Sequence, residues 1–216
     1  MRLLELFSGT GSVGQVFKEK GWEVVSLDLN PKSNADIIID VRNWNYETFK
    51  PEYFDAVWAS LCCTHYSCAR RGAKTPRDLE WADSLVLKTL EIIEYFKPKY
   101  WFIENPQTGM LKDRIFMRDI PFTDLDYCRY SNVGYRKRTR IWTNTKFKGL
   151  TCLGKGMCEN MDGDRHNATA QQGRNVMKNG YYGGNLRQTD LNKIPKLLRI
   201  DMCVACCDLR ADALIA

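Results

Sequence analysis

Residues 2–14 (RLLELFSGTGSVG) narrow the possible folds more than any other stretch of this chain. An apolar run, Arg2 to Phe7, passes directly into the tight glycine turn Ser8-Gly9-Thr10-Gly11-Ser12. Val13, Val16 and Phe17 then recur at helical spacing, and Gly21 stands where a helix would stop. Strand, glycine turn and helix in immediate succession open an α/β unit. A second apolar run, Val24 to Leu29, carries Asp28 near its end, and a third, Ala35 to Asp40, ends on another acid. The pattern Gly9-x-Gly11-x-x-Gly14 lets backbone approach a ligand closely, and an acid at the end of the second strand can accept hydrogen bonds from ribose hydroxyls. That chemistry serves NAD and the adenosine of S-adenosylmethionine equally.

The strand rhythm continues. Phe54 to Ser60 predicts a fourth strand that runs straight into Cys62-Cys63. The basic segment His65 to Lys74 has no apolar periodicity and reads as a loop. Thr75-Pro76 predicts a helix start, with Leu79, Ala82, Val86, Leu90 and Ile93 along one face and Lys97-Pro98 as the stop. Tyr100 to Ile103 predicts a fifth strand that ends in Glu104-Asn105-Pro106. Two further strand-like runs, Asp126 to Ser131 and Thr139 to Thr143, suggest a hairpin around Asn132-Val133-Gly134. The segment from Tyr135 to Arg140 holds four bases in six residues and is not core.

Composition limits the partners. At 216 residues the chain suits one sizeable α/β domain with a small appendage. No apolar run approaches the length of a membrane span, and no signal-peptide pattern opens the chain. Nine cysteines, an odd number, fit reduced thiols in a cytoplasmic setting better than a disulfide framework. The net charge of +6 is concentrated in the C-terminal half, as a polyanion-facing surface would require. Residues 144–190 break the α/β rhythm and read as a basic excursion with little core, including Tyr181-Tyr182-Gly183-Gly184. Ile194-Pro195 predicts the opening of a last helix, within residues 191–216, that packs back on a core of residues 1–143. Cys152, Cys158 and His166, with Cys203, Cys206 and Cys207 further on, could ligate zinc. Their spacing matches no standard zinc pattern, however, and no metal is assigned.

Four landmarks in order resemble the C5-cytosine DNA methyltransferases, in particular the small phage or viral members. Leu6-Phe7-Ser8-Gly9-Thr10-Gly11 resembles the family's cofactor motif. Ala59-Ser60-Leu61-Cys62-Cys63 lies where the family has a proline followed by its nucleophilic cysteine. Glu104-Asn105-Pro106 resembles the Glu-Asn motif, and Arg136-Lys137-Arg138-Thr139-Arg140 the Gln-x-Arg-x-Arg motif. The departures are Cys62 for proline, Thr64 for glutamine, Pro106 for valine and Arg136 for glutamine. Two adjacent thiols leave two candidate nucleophiles, of which motif position favours Cys63.

The resemblance implies a Rossmann-like class I methyltransferase with a mixed sheet and a small target-recognition insertion. It implies S-adenosylmethionine as cofactor, double-stranded DNA as partner and a monomer in the bacterial or infected-host cytoplasm. Phe7, Ser8, Gly9, Thr10, Gly11, Asp28, Leu29, Asp40 and Val41 would form the cofactor site. Phe7 would flank adenine, Gly9 and Gly11 the methionine part, Asp28 the ribose and Asp40 the adenine amine. Cys63 would attack cytosine C6, Glu104 would serve N3, and Asn105 would position loop and base. Arg138 and Arg140 would bind the base's O2 and hold the cysteine loop. A catalytically inactive DNA-binding relative would keep the basic half without the chemistry. An NAD-dependent oxidoreductase leaves Glu104-Asn105 and the arginine motif unexplained. Amino-methylating enzymes use an Asp/Asn-Pro-Pro-aromatic tetrapeptide, which Glu104-Asn105-Pro106-Gln107 is not.

Overall fold

The computed structural model describes residues 1–169 and 193–208, the side chains of 207 and 208 excepted. Tyr181 to Gly184 lie outside the described residues. Seven strands form one sheet: β1 (Arg2–Leu6), β2 (Glu23–Asp28), β3 (Ile37–Ile38), β4 (Ala56–Ser60), β5 (Tyr100–Pro106), β6 (Phe122–Asp126) and β7 (Arg138–Thr143). Their order is β3-β2-β1-β4-β5-β7-β6. β1 to β5 pair in parallel, and β7 runs antiparallel to both its neighbours.

Period-two alternation divides the core between the two faces of this sheet. Leu3, Ala56, Trp58, Phe102 and Ile141 join one cluster, with Val13 and Phe17 of helix α1 (Ser12–Glu19). Leu4, Leu6, Val57, Ala59, Ile103 and Trp142 join the other, with Leu85, Val86 and Phe96 of helix α2 (Leu79–Phe96). Strands buried on both faces have to read as continuous apolar runs, which is why they are visible in the sequence. A last helix, α3 (Lys196–Asp208), packs against α1 through Leu198, Met202, Cys203 and Cys206, and Arg199 donates to the Ser12 carbonyl.

Several expected boundaries move. α2 begins at Leu79, capped by Asp78 accepting from the Trp81 N–H at 2.9 Å, and not at Thr75-Pro76. The Arg70 guanidinium holds that dipeptide in the loop by donating to the carbonyls of Thr75 at 3.2 Å and Pro76 at 3.0 Å. The loop itself contains a 3-10 turn, Cys68–Gly72. β5 runs through Pro106 because β7 pairs with it as far as Pro106↔Thr139. The run from Asp126 to Ser131 is not a strand; β6 ends at Asp126 and a 3-10 turn, Tyr127–Arg129, follows. The edge strand's two inner acids are paired, Asp124 with Arg140 directly across from it and Asp126 with Arg136, so they need no solvent face. β3 has only two paired residues.

Glu5 of β1 fixes how the glycine turn enters α1. It is buried, yet accepts the N–H of Val13 at 3.3 Å and of Gly14 at 3.0 Å, at the positive end of that helix. A Cβ on Gly14 would stand 2.4 Å from the Glu5 carboxylate, so only glycine fits there. Burial pushes the Glu5 carboxyl from its ordinary value of 4.5 to about 7, against the pull of the two N–H groups. A raised folded pKa gives stability that is complete below about 4.5 and is lost as pH rises through about 7. Thermal stability should therefore fall between about pH 5 and pH 8, by a contribution on the order of 3 kcal/mol. Glu5→Gln should flatten that slope in melting curves; an unchanged slope would show that Glu5 does not cause it.

Candidate active site

The glycine turn is shaped by backbone alone. Gly9 and Gly11 have φ of 54° and 65°, in the left-handed region where a side chain is strained. The Ser8 N–H bonds the Leu27 carbonyl at 3.1 Å and the Gly9 N–H bonds Asp28 at 2.7 Å, which draws the turn against the end of β2. Asp28 also caps the Asn30 N–H at 2.7 Å. The buried Ser8 hydroxyl has no partner among the described residues. Beside the turn lies a cavity of about 290 Å3. Phe7, Asp28, Leu29, Asp40 and Val41 line it, whereas Gly9, Thr10 and Gly11 form the neighbouring turn.

Trp81 and Leu85 of α2 and Cys62 of the cysteine pair complete that cavity. Sequence spacing does not reveal them, because α2 crosses from the opposite side of the β1/β4 switch point. Asp40 is chelated by the Arg42 guanidinium at 2.5 to 3.2 Å, and this ion pair, the leading cause, holds its carboxyl below the ordinary range.

The second half of the site begins where β4 ends. The Cys63 carbonyl accepts the N–H of Tyr66 at 3.1 Å and of Ser67 at 2.8 Å, folding the chain back just after the thiol. Buried Tyr66 anchors that turn on α2 by donating its hydroxyl to Asp83 at 2.7 Å, and its carbonyl accepts the Met110 N–H at 3.0 Å. His65 accepts the Asp78 N–H at 2.7 Å through Nδ1, so it serves the start of α2. Arg70 braces the loop, while Arg71 and Lys74 are exposed.

Glu104 and Asn105 come from the neighbouring strand. The fully buried Asn105 donates through Nδ2 to the Leu61 carbonyl at 3.1 Å, tying β5 to the approach of Cys63. Its Oδ1 has no partner among the described residues. Glu104 is buried, accepts from the Tyr127 hydroxyl at 3.4 Å and has the Lys137 ammonium at 3.9 Å. Burial raises the Glu104 carboxyl, with Lys137 and Tyr127 pulling it back. Burial also pushes the Cys63 thiol up to about 11; the Glu104 charge adds to this and Lys137 opposes it. In this arrangement Cys63 is a thiol, and burial shifts Glu104 toward its acid form. Lys137 holds a left-handed backbone, φ 30°, at the mouth of β7; such strain in a non-glycine residue is common at functional sites.

The arginine motif lies differently from the sequence expectation. Alternation along β7 sends Arg138 and Arg140 to the face opposite Thr139 and Ile141, and Ile141 is the residue across from Glu104. Arg140 is bound to Asp124 at 2.6 and 2.8 Å and stacks 3.5 Å over the Phe122 ring. Arg138 is exposed beside it. Arg136 takes Asp126 in a two-pronged bond at 2.9 and 3.0 Å. The cation beside Glu104 is thus Lys137, between the expected positions.

A sheet in this order, with β7 alone running against the rest and a glycine turn at the β1/β4 switch point, defines a Rossmann-like methyltransferase fold. Solved structures share it. The Entamoeba histolytica methyltransferase EhMeth aligns with a TM-score of 0.53 at 14% identity, over 72% of this chain and 57% of that one. A prophage-encoded DNA modification methyltransferase candidate from E. coli aligns with a TM-score of 0.50 at 14% identity, over 66% and 46%. At such identity the likeness concerns the fold alone, and this chain spans about half the length of these structures. Sequence similarity reaches further. The family described as C-5 cytosine-specific DNA methylase matches residues 1–118. A protein of Frog virus 3 (isolate Goorha) named "Probable DNA (cytosine-5)-methyltransferase" is 42% identical over 175 residues, 75% of this chain and 79% of the viral one. The chain belongs to the C-5 cytosine-specific DNA methylases, a family of S-adenosylmethionine-dependent enzymes.

Proposed function

We propose that this protein methylates C5 of cytosine in double-stranded DNA with Cys63 as the attacking thiol. The observation that carries this reading is the convergence at the ends of β4 and β5 of the Cys63 turn, the Asn105 tie to Leu61 and the buried Glu104. S-adenosylmethionine, when bound, supplies an electrophilic methyl group on a sulfonium sulfur. The partnerless Ser8 hydroxyl and the cavity between β1, β2 and α2 fit such a ligand. Phe7 and Trp81 would enclose the adenine, Asp28 would take the ribose hydroxyls on its remaining lone pairs, and Asp40 and Val41 would line the purine edge. Leu29 would cover the ribose side. Ser8, Gly9, Thr10 and Gly11 would hold the methionine part.

Attack of Cys63 sulfur on C6 forms the S–C6 bond and moves the C5–C6 electron pair toward C5. Glu104 in its acid form donates a hydrogen bond to N3 as charge builds on the ring, and Asn105 keeps the loop and the base in place. C5 would then take the methyl group as its bond to the sulfonium sulfur breaks and leaves a neutral thioether, and loss of the C5 proton to water acting as base would re-form the C5–C6 double bond and expel the Cys63 thiolate. Lys137 lowers the cost of the thiolate beside Glu104. Arg140 would brace the β6–β7 edge, and exposed Arg138, Arg71 and Lys74 would face phosphates around a flipped-out base. Among the described residues no helix is long and apolar enough to cross a membrane. Eight described cysteines form no disulfide, which suits the reducing cytoplasm. We read the protein as acting there as a monomer.

The test is transfer of labelled methyl from S-adenosylmethionine to duplex DNA of mixed sequence, followed by nucleoside analysis. Label in 5-methylcytosine is expected. Label in N4-methylcytosine or N6-methyladenine, or none on any duplex with folded protein, would overturn the reading.

A further inference from the structure

Four potential metal ligands outside the catalytic crevice meet at one point. The ligand atoms of Cys128, Cys152, Cys158 and His166 all lie within 4.8 Å of one another. His166 Nε2 stands 3.5 Å from Cys152 Sγ and 3.7 Å from Cys158 Sγ. Tetrahedral zinc, with Zn–S near 2.3 Å and Zn–N near 2.0–2.1 Å, separates sulfur from nitrogen by about 3.5 Å. Cys128 and Cys158 are buried, and Cys152 and His166 are partly covered.

The chain around them is built to present these atoms. Gly154 and Gly156, with φ of 84° and 77°, turn the Cys152–Cys158 segment back on itself. The Cys158 N–H closes that turn on the Gly154 carbonyl at 3.0 Å. The Gly154 N–H points at Cys152 Sγ at 3.4 Å, a donor that a thiolate accepts. A hairpin of β8 (Met161–Asp162) and β9 (Arg165–His166) delivers the imidazole. Asn160 locks the excursion to the β6–β7 connection by donating to the carbonyls of Cys128 at 2.9 Å and Ser131 at 3.1 Å. Asp126, already paired with Arg136, accepts the Cys152 N–H at 2.8 Å, so a guanidinium stands near the sulfurs. The segment buries little apolar surface of its own: Leu153 is 48% and Met157 66% exposed. A small unit with so little core needs a staple.

We propose that Cys128, Cys152, Cys158 and His166 bind one zinc ion in a closed, four-coordinate structural centre. Three thiolates and one imidazole saturate the metal, so the centre holds no open position for a substrate. Its work is mechanical. Cys128 follows Tyr127, whose hydroxyl contacts Glu104, and the other three ligands belong to the basic excursion. The metal would thus join Tyr127, and through it Glu104, to the basic excursion. Cys203 and Cys206, considered from sequence as ligands, lie instead in the core under α3.

The full chain, purified without chelator from zinc-supplemented cells, should carry one zinc per molecule by mass spectrometry of metals. Replacement by cobalt should give the visible bands of a tetrahedral thiolate site. Cys128→Ser should lose most of the metal or distort the cobalt spectrum, and Cys68→Ser should keep both. If Cys128→Ser fails to fold, His166→Cys provides the check, because four ligands remain: zinc should stay and the cobalt spectrum should shift. Folded wild-type protein with under a tenth of an equivalent of zinc and no cobalt bands would overturn the proposal. A Cys152–Cys158 disulfide in the freshly isolated protein would overturn it as well. Neither readout depends on methyl transfer, so the catalytic reading stands or falls separately.

Discussion

Cys63→Ala should abolish covalent capture of a duplex carrying 5-fluorocytosine, whereas Cys62→Ala should retain it. Fluorine at C5 blocks the final elimination, so a working thiol stays attached through denaturing electrophoresis. The two sulfurs are adjacent in sequence but differ in surroundings. Cys62 lines the cavity beside the glycine turn. Cys63 sits where the charges of both Glu104 and Lys137 act on it. Losing the nucleophile should cost at least about 10^3-fold in methyl transfer. Cys62→Ala should act mainly on cofactor affinity. An adduct that persists in Cys63→Ala would move the chemistry to the neighbouring thiol. The wild-type rate should also climb with pH above neutrality, because burial has pushed the Cys63 thiol up to about 11 and attack needs the thiolate.

Glu104→Gln should lower kcat by about 10^2- to 10^4-fold with little change in melting temperature. The substitution keeps the shape of a side chain that burial already shifts toward its neutral form, so packing with Tyr127 and β7 survives. What disappears is the proton that offsets charge at N3 in the transition state. Capture of 5-fluorocytosine should slow by a similar factor, since the thiol adds to the same polarised ring. A variant with normal kcat would show that Glu104 only fills space between β5 and Tyr127.

The contrast between these residues shows how far spacing can be read. Cys63 and Glu104 follow apolar runs whose length fixes where a parallel strand must deliver them. The glycine turn and Asp28 were legible for the same reason. The arginine motif was legible as a motif but not as a geometry. Its strand is antiparallel and its register is set by Phe102↔Thr143 and Asp126↔Arg138, so which alternate face each cation takes depends on pairing partners far away in sequence. Lys137 reaches Glu104 because it precedes the strand on strained backbone.

Trp81 carries no signal of its own because it sits in an ordinary first helical turn, and only the packing of α2 across the switch point brings it to the cavity beside the glycine turn. Cys128 was the least legible of all. It lies between two strands, far along the chain from Cys152, Cys158 and His166, and only the fold closes that distance.

By itself, then, the sequence determined the α/β class, the family, the strand-end position of the Cys63 thiol and the glycine turn beside it. These are local properties, written in apolar run length and in residues that backbone geometry demands. Tertiary structure alone decided which cation meets Glu104, which aromatic closes the cofactor cavity and which cysteine completes the fourfold cluster. Those contacts join segments that share no period and no spacing, and they exist only once the sheet has chosen its order and register.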